Sequence, residues 1–328
     1  MKKGMAIVFV LTMLLALTVN AAQAEAAEPF HIVLVNAIVG HPVYEQQAVG
    51  ARKAAEDYGV NLEIIGPPLG TASLVEDTNN FIDNAISMHP DAVIVEPWDS
   101  SLNAAVQRAF DAGIPVFCTS SPPENEDLCI AWIGTDNVNY GITAADMIAE
   151  KMDGKANVCI MFQSLDALNQ VEQVSGFEQR IAEKYPDIKV VVKEFDRADM
   201  SVALQKFEEV FQAYPEVDTV WMVEGTGGPA AAQVAREKNR DILILDIDAV
   251  DQTVDLIGKG EIWATLAQNF YKRGYEIVRM ASEYLLNGNA DSFHKANDSG
   301  VVLITQESVA RYEQDLMDAI RYKGTPLK

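Results

Sequence analysis

The residues able to do chemistry sit just after short apolar runs. Ala92-Val93-Ile94-Val95 ends in Glu96-Pro97-Trp98-Asp99, an acid, a ring and a second acid. The same arrangement recurs along the chain. Gly40-His41-Pro42-Val43-Tyr44 follows the first run, Thr119-Ser120-Ser121 the fourth, and Gln163-Ser164-Leu165-Asp166 the run over 158–162. Glu194-Phe195-Asp196, Glu224, Asp248 and Gln268-Asn269 follow later ones. Carboxylates and amides accept hydroxyl protons in fixed directions, and rings stack on C–H faces, so this mixture suits a small polar ligand such as a sugar.

One stretch argues for different chemistry. Gly225-Thr226-Gly227-Gly228-Pro229-Ala230 has the G-x-G-x-x-A form of a dinucleotide fingerprint, and Asp246 and Asp248 follow about twenty residues on. This is the best case for an enzyme, an NAD-dependent oxidoreductase. A tight turn with Pro229 in the first turn of a helix explains the same residues without a cofactor. No nucleophile elbow, Walker loop or H-E-x-x-H is present, and no C-x-x-C or histidine pair suggests a metal. We therefore expect a non-enzyme with no cofactor.

These tips need elements to position them. Eleven Val- and Ile-rich runs, among them His31–Ile38, Ala92–Val95, Val158–Phe162, Thr219–Val223 and Ile242–Ile247, read as buried parallel strands. Amphipathic helical patterns lie between them, including Tyr44–Tyr58, Leu74–Met88, Val171–Tyr185 and Tyr271–Leu286, and a last one over Glu307–Arg321. Strict alternation predicts an α/β protein of right-handed βαβ units in two comparable sets. In such sheets ligands bind beyond the carboxyl ends of the strands, where the polar tips stand.

The formal net charge of -23, spread along the chain, excludes nucleic acid and anionic lipid as partners over an extended basic surface. Lys2 and Lys3, the apolar stretch Met5 to Val19 and the small residues through Ala26 have the parts of a secretory signal peptide, with cleavage near Ala24 to Ala26. A periplasmic, soluble, monomeric protein is expected. An oxidising compartment permits a bridge between Cys118 and Cys129, which flank a turn-rich loop; Cys159 lies inside an apolar run.

Ordered phrases give a specific resemblance. Tyr44-(x5)-Gly50-Ala51-(x3)-Ala55, Glu96-Pro97-Trp98-Asp99-Ser100, Ala112-Gly113-Ile114-Pro115-Val116, Gly134-Thr135-Asp136-Asn137, Ser175-Gly176-Phe177, Asp246-Ile247-Asp248 and Ala264-Thr265-Leu266-Ala267-Gln268 together resemble the periplasmic solute-binding proteins of the ribose/galactose-binding type, which serve ABC importers. The resemblance implies a two-lobed type I fold with three crossover strands at a hinge. It divides the chain into a signal peptide (1–26), an N-terminal lobe (27–134 plus 268–298) and a C-terminal lobe (135–267 plus 299–328). It further implies capture of a ligand between closing lobes for a membrane ABC permease, or for a chemoreceptor or sensor kinase.

Carried over by position, the ligand-binding set is His41, Tyr44, Glu96, Trp98, Ser120, Ser121, Gln173, Phe195, Glu224, Asp248 and Gln268. Three departures stand out. Ser120-Ser121 occupies the place of an aspartate-arginine pair, no arginine stands at Gln173, and Glu96 and Glu224 replace asparagines. Three acids with no cation would repel one another when buried, which favours an amine, an amino sugar or a polyol over an ordinary ribose-like sugar.

Overall fold

A computed structural model describes residues 28–164 and 167–312. The signal-peptide reading, Leu165 and Asp166, and the end of the helix expected over Glu307–Arg321 lie outside the described residues.

The first sheet has the strand order β11-β5-β4-β3-β1-β2, made by Ala296–Asp298 (β11), Ala131–Gly134 (β5), Val116–Thr119 (β4), Ala92–Val95 (β3), His31–Val35 (β1) and Asn61–Ile65 (β2). The second has the order β12-β10-β9-β8-β6-β7, made by Val301–Thr305 (β12), Ala264–Gln268 (β10), Leu243–Ile247 (β9), Thr219–Met222 (β8), Ala156–Phe162 (β6) and Ile188–Phe195 (β7). Every described pairing is parallel except β10 with β12. The central strands β3, β4 and β8 are buried along their full length, as their unbroken apolar runs require.

Nine helices flank the sheets among the described residues: Pro42–Tyr58 (α1), Leu74–Ser87 (α2), Asn103–Asp111 (α3), Asn137–Lys151 (α4), Leu168–Lys184 (α5), Met200–Ala213 (α6), Gly227–Glu237 (α7), Asp251–Lys259 (α8) and Phe270–Asn287 (α9). All nine follow the helical patterns in the sequence. Strand β11 does not, because Ala296-Asn297-Asp298 is short, polar and partly exposed; its pairing with Trp132–Gly134 is a backbone event with no hydrophobic period.

The chain passes between the sheets three times: between β5 and α4, between β10 and α9, and between β11 and β12. Backbone bonds tie these crossings together. Ser299 N–H donates to the Gly134 carbonyl at 2.7 Å and Asn269 N–H to Gly300 at 3.2 Å. Helix α9 packs on α1 on one face of the first sheet, and Gly274 makes the close approach possible: a Cβ there would stand 1.9 Å from the Gln47 carbonyl oxygen.

Local signals set the helix starts. Asp199 caps α6, its Oδ1 accepting from Ser201 N–H at 2.8 Å and Val202 N–H at 3.0 Å. Asp199→Ala should lower stability by about 1 kcal/mol in urea unfolding without changing the slope of the transition. An unchanged midpoint would show that the cap contributes nothing.

The expected bridge between Cys118 and Cys129 is corrected: all three cysteines are free and buried. Cys118 and Cys129 lie thiol against thiol, and Cys129 Sγ faces the Glu126 carbonyl at 3.5 Å. Burial pushes the Cys118 thiol well up, which disfavours the thiolate that disulfide exchange needs.

Candidate ligand-binding cleft

The carboxyl ends of the strands converge on a cavity of about 620 Å³, lined from the first sheet by Tyr44, Glu96, Trp98, Ser120 and Ser121 and from the crossings by Thr135, Gln268 and Arg273. Tyr44 lies in the first turn of α1, which starts at the tip of β1. Glu96 follows β3 directly and is buried; Trp98, at 37% exposure, forms part of the rim. Ser120 follows β4 in the left-handed region at φ 64°, and Asp248 follows β9 at φ 59°. Two non-glycine residues in that sparsely populated region stand at strand tips, Ser120 lining the cavity and Asp248 bonded to Gln268 that lines it, a pattern common at functional sites.

A hydrogen-bonded chain organises the first-sheet side. Ser120 Oγ donates to Glu96 Oε1, Tyr44 Oη donates to the same oxygen at 3.2 Å, and Thr119 Oγ1 donates to Glu96 Oε2 at 3.4 Å. Arg273 Nη1 donates to Ser120 Oγ at 2.7 Å, so one hydroxyl bridges guanidinium and carboxylate. The other guanidinium nitrogen donates to Gln268 Oε1 at 3.1 Å, and the guanidinium lies 4.2 Å over the Phe270 ring. Arg273 is only 2% exposed. Burial lowers its pKa, while Glu96, Tyr44 and Asp248 pull it back up.

This overturns the expectation of an acidic pocket without a cation. The cation comes from α9, not from the tip of β4 or from α5. Helical side chains point back toward the N-terminus. An arginine four residues into α9 therefore reaches the tip of β10. A sign of it stands in the sequence: Arg273 shares a face with Phe270, Ile277 and Ala281, an arginine inside an apolar stripe.

The second-sheet side is acidic. Glu224 Oε1 accepts from Thr226 N–H at 2.9 Å and Gly227 N–H at 2.7 Å, so the start of α7 holds this carboxylate. Gly228 allows α7 to sit on the fully buried Asp246; a Cβ there would stand 2.0 Å from its Oδ2. The glycine-rich stretch is thus a packing device for carboxylates. The N–H groups that would cradle a dinucleotide phosphate already serve Glu224.

Asp196 is fully buried beside Glu224. Burial first, then the hydrogen bond and negative charge of Glu224, push its carboxyl up to about 8. Asp196 therefore favours its protonated form beside Glu224. Asp248 is also raised, chiefly by burial; Gln268 Nε2, 3.2 Å from its Oδ1, and the charges of Arg273 and His41 oppose the shift.

Of the residues singled out in the sequence, Tyr44, Glu96, Trp98, Ser120, Ser121 and Gln268 line the same cavity. His41 stands edge-on to Tyr44 at 5.7 Å, close enough to Asp248 to act on its charge. Gln173 is instead buried between α4 and α5; its Nε2 donates to Asn137 Oδ1 at 3.2 Å, and Asn137 lines the cavity. Phe195 packs on Phe162 at 4.7 Å and faces α5, while its neighbour Asp196 turns inward to Glu224. Period-two alternation at the end of β7 explains why adjacent residues face opposite ways.

Comparison with known proteins agrees with this architecture. A family model described as "Periplasmic binding protein domain" matches residues 32–290. The ribose import binding protein of Bacillus subtilis (strain 168) is 24% identical over 297 residues, covering 88% of this chain and 94% of the relative. The xylitol-binding protein of Mycolicibacterium smegmatis is 29% identical over 191 residues, covering 57% of this chain and 54% of the relative. Among solved structures, AraP, an arabinose binding protein from Geobacillus stearothermophilus, superposes with a TM-score of 0.78 at 25% identity, covering 87% of this chain and 99% of that one. A sugar ABC transporter (sugar-binding protein) from Bacillus halodurans gives a TM-score of 0.78 at 25% identity, covering 87% and 100%. Fold, cleft and relatives together place the chain in the periplasmic binding protein family, as a type I protein of the sugar-import kind.

Proposed function

We propose that the chain is the substrate-binding component of an ABC importer and captures a neutral pentose-like sugar or polyol in the cleft. The carrying observation is Arg273, a buried cation lining the cavity that meets the acceptor Glu96 through Ser120 and has Gln268 and Asp248 beside it, so donors and acceptors stand together at the cleft. A hydroxylated ligand supplies both complements, since each hydroxyl donates and accepts. The premise that favoured an amine, three acids with no cation, no longer applies. Relatives that bind ribose, xylitol and apiose by name support the same class.

Capture proceeds by closure of the two sheet-bearing lobes about the three crossings, and the closed form is delivered in the periplasm to a membrane permease. The relatives are binding proteins by name, and binding without chemistry is the reading we adopt. A thermal-shift screen of protein stripped of ligand by unfolding tests the assignment. Its panel holds D-ribose, D-arabinose, D-xylose, D-apiose, xylitol, glucosamine and putrescine. A ligand at about 100 times its dissociation constant adds about 2.7 kcal/mol, a rise of several degrees. Shifts confined to neutral sugars or the polyol are expected. Shifts confined to glucosamine or putrescine would overturn the neutral-ligand reading.

A further inference from the structure

The guanidinium of Arg273 carries five N–H groups in a rigid plane. Nη1 serves Ser120 Oγ at 2.7 Å, and Nη2 serves Gln268 Oε1 at 3.1 Å and Thr135 Oγ1 at 3.5 Å. The second Nη1 hydrogen and Nε–H remain. Nε is fully buried with no protein partner, in a side chain that lines the cleft cavity. A buried charged donor without an acceptor is unfavourable unless a bound molecule supplies one.

The rest of the arrangement keeps this donor in one place. Phe270 lies under the guanidinium, with Tyr44 edge-on to Phe270 at 5.8 Å, so one face of the plane is packed against an aromatic ring. Glu96 is already committed to Ser120, Tyr44 and Thr119, and it touches Arg273 only through the serine hydroxyl. A direct carboxylate–guanidinium pair would consume the donors; the intervening hydroxyl leaves them free.

We propose that Arg273 is a specificity-determining residue of the cleft, its spare N–H groups donating to one acceptor oxygen of a hydroxylated ligand. The inference rests on the neutral sugar or polyol reading. It predicts that one ligand position is read far more strictly than its neighbours. A site built to bond a particular oxygen rejects an analogue that lacks it, because its own buried group is then left unpaired. It also assigns the cation to α9, whereas the resemblance implies one at the tip of β4, where Ser120-Ser121 now stands.

The test is calorimetric titration of the wild type, Arg273→Met and Arg273→Lys with D-ribose, D-arabinose, D-xylose, xylitol and the monodeoxy forms of each pentose. In the wild type one monodeoxy form should bind roughly 100-fold more weakly than its parent. In Arg273→Met the parent should weaken by roughly 100-fold, and discrimination against that one form should fall to within about threefold. Discrimination at the other hydroxyls should persist, which a merely structural loss would not produce. Arg273→Lys keeps the charge without the planar fork and guards against a misfolded methionine variant; its discrimination at that position should fall too. A wild type that binds pentoses, with either variant keeping the full discrimination pattern, overturns the inference alone. A wild type that binds none of the pentoses or xylitol overturns the neutral-ligand reading and the inference with it.

Discussion

Between about pH 4 and about pH 8 the wild-type protein is expected to lose stability steadily, and Asp196→Asn is expected to make that slope measurably shallower. The carboxyl is raised from 3.8 to about 8 in the folded state. The folded protein therefore holds a proton that the unfolded chain releases, and stability falls wherever the folded state binds more protons. The stabilisation is complete below the unfolded value, declines across the window, and is flat once pH exceeds the folded value. At about 1.4 kcal/mol per unit, the window corresponds to at most about 6 kcal/mol. That is a fall of roughly 10 °C in melting temperature for a chain of this size.

Every neighbour of this proton acts in a known direction. Glu224 and its negative charge raise Asp196, and the Ala198 N–H bond to Oδ1, at 3.0 Å, lowers it. Asp246 on β9 and Asp248 just after it are raised too and slope the same way, so the asparagine variant keeps their share. Asparagine can donate to Glu224 at any pH, as the protonated acid does only below its own pKa. Melting curves across the window decide the matter. A slope in Asp196→Asn equal to that of the wild type would mean that Asp196 is not the proton holder.

Much of this fold was legible in the sequence because buried parallel strands are written as unbroken Val and Ile runs and their crossover helices carry a 3.6 period. Ala92–Val95 and Thr219–Met222 are of that kind, each buried on every residue. Strand β11 was not legible, since Ala296-Asn297-Asp298 pairs only through its backbone. At the cleft, strand tips announced Glu96, Ser120 and Asp248, because polar residues after an apolar run have only one place to go. Arg273 was hidden by the opposite circumstance. It sits inside a helix, among apolar residues, and its role comes from the reach of a long side chain back along α9. Phe195 and Asp196 show the limit at single-residue scale: both stand at one tip, and only the pleat decides which turns inward.

Glu96 and Arg273 should prove coupled by about 2 kcal/mol or more in a double-mutant cycle on stability. Neither has another full opposite charge bonded to it among the described residues. Arg273 is buried over an aromatic ring, and Glu96 gathers three hydroxyl groups around its two oxygens. Removing one partner leaves the other buried and uncompensated, which typically costs about 3–5 kcal/mol. Glu96→Gln should therefore destabilise strongly, since the amide returns no charge to Arg273 and can accept through only one of its two terminal atoms. Arg273→Met alone should also destabilise, leaving Glu96 with hydroxyl donors only. The double variant should be more stable than the sum of the two losses predicts, because an apolar side chain beside a neutral amide leaves no unpaired charge. Strict additivity would show that Ser120 insulates the two groups and that each is solvated separately from the cleft. Coupling of the expected size would show that the serine hydroxyl transmits the charge of one to the other, which keeps the cleft neutral on this side while leaving the guanidinium donors free to meet a ligand.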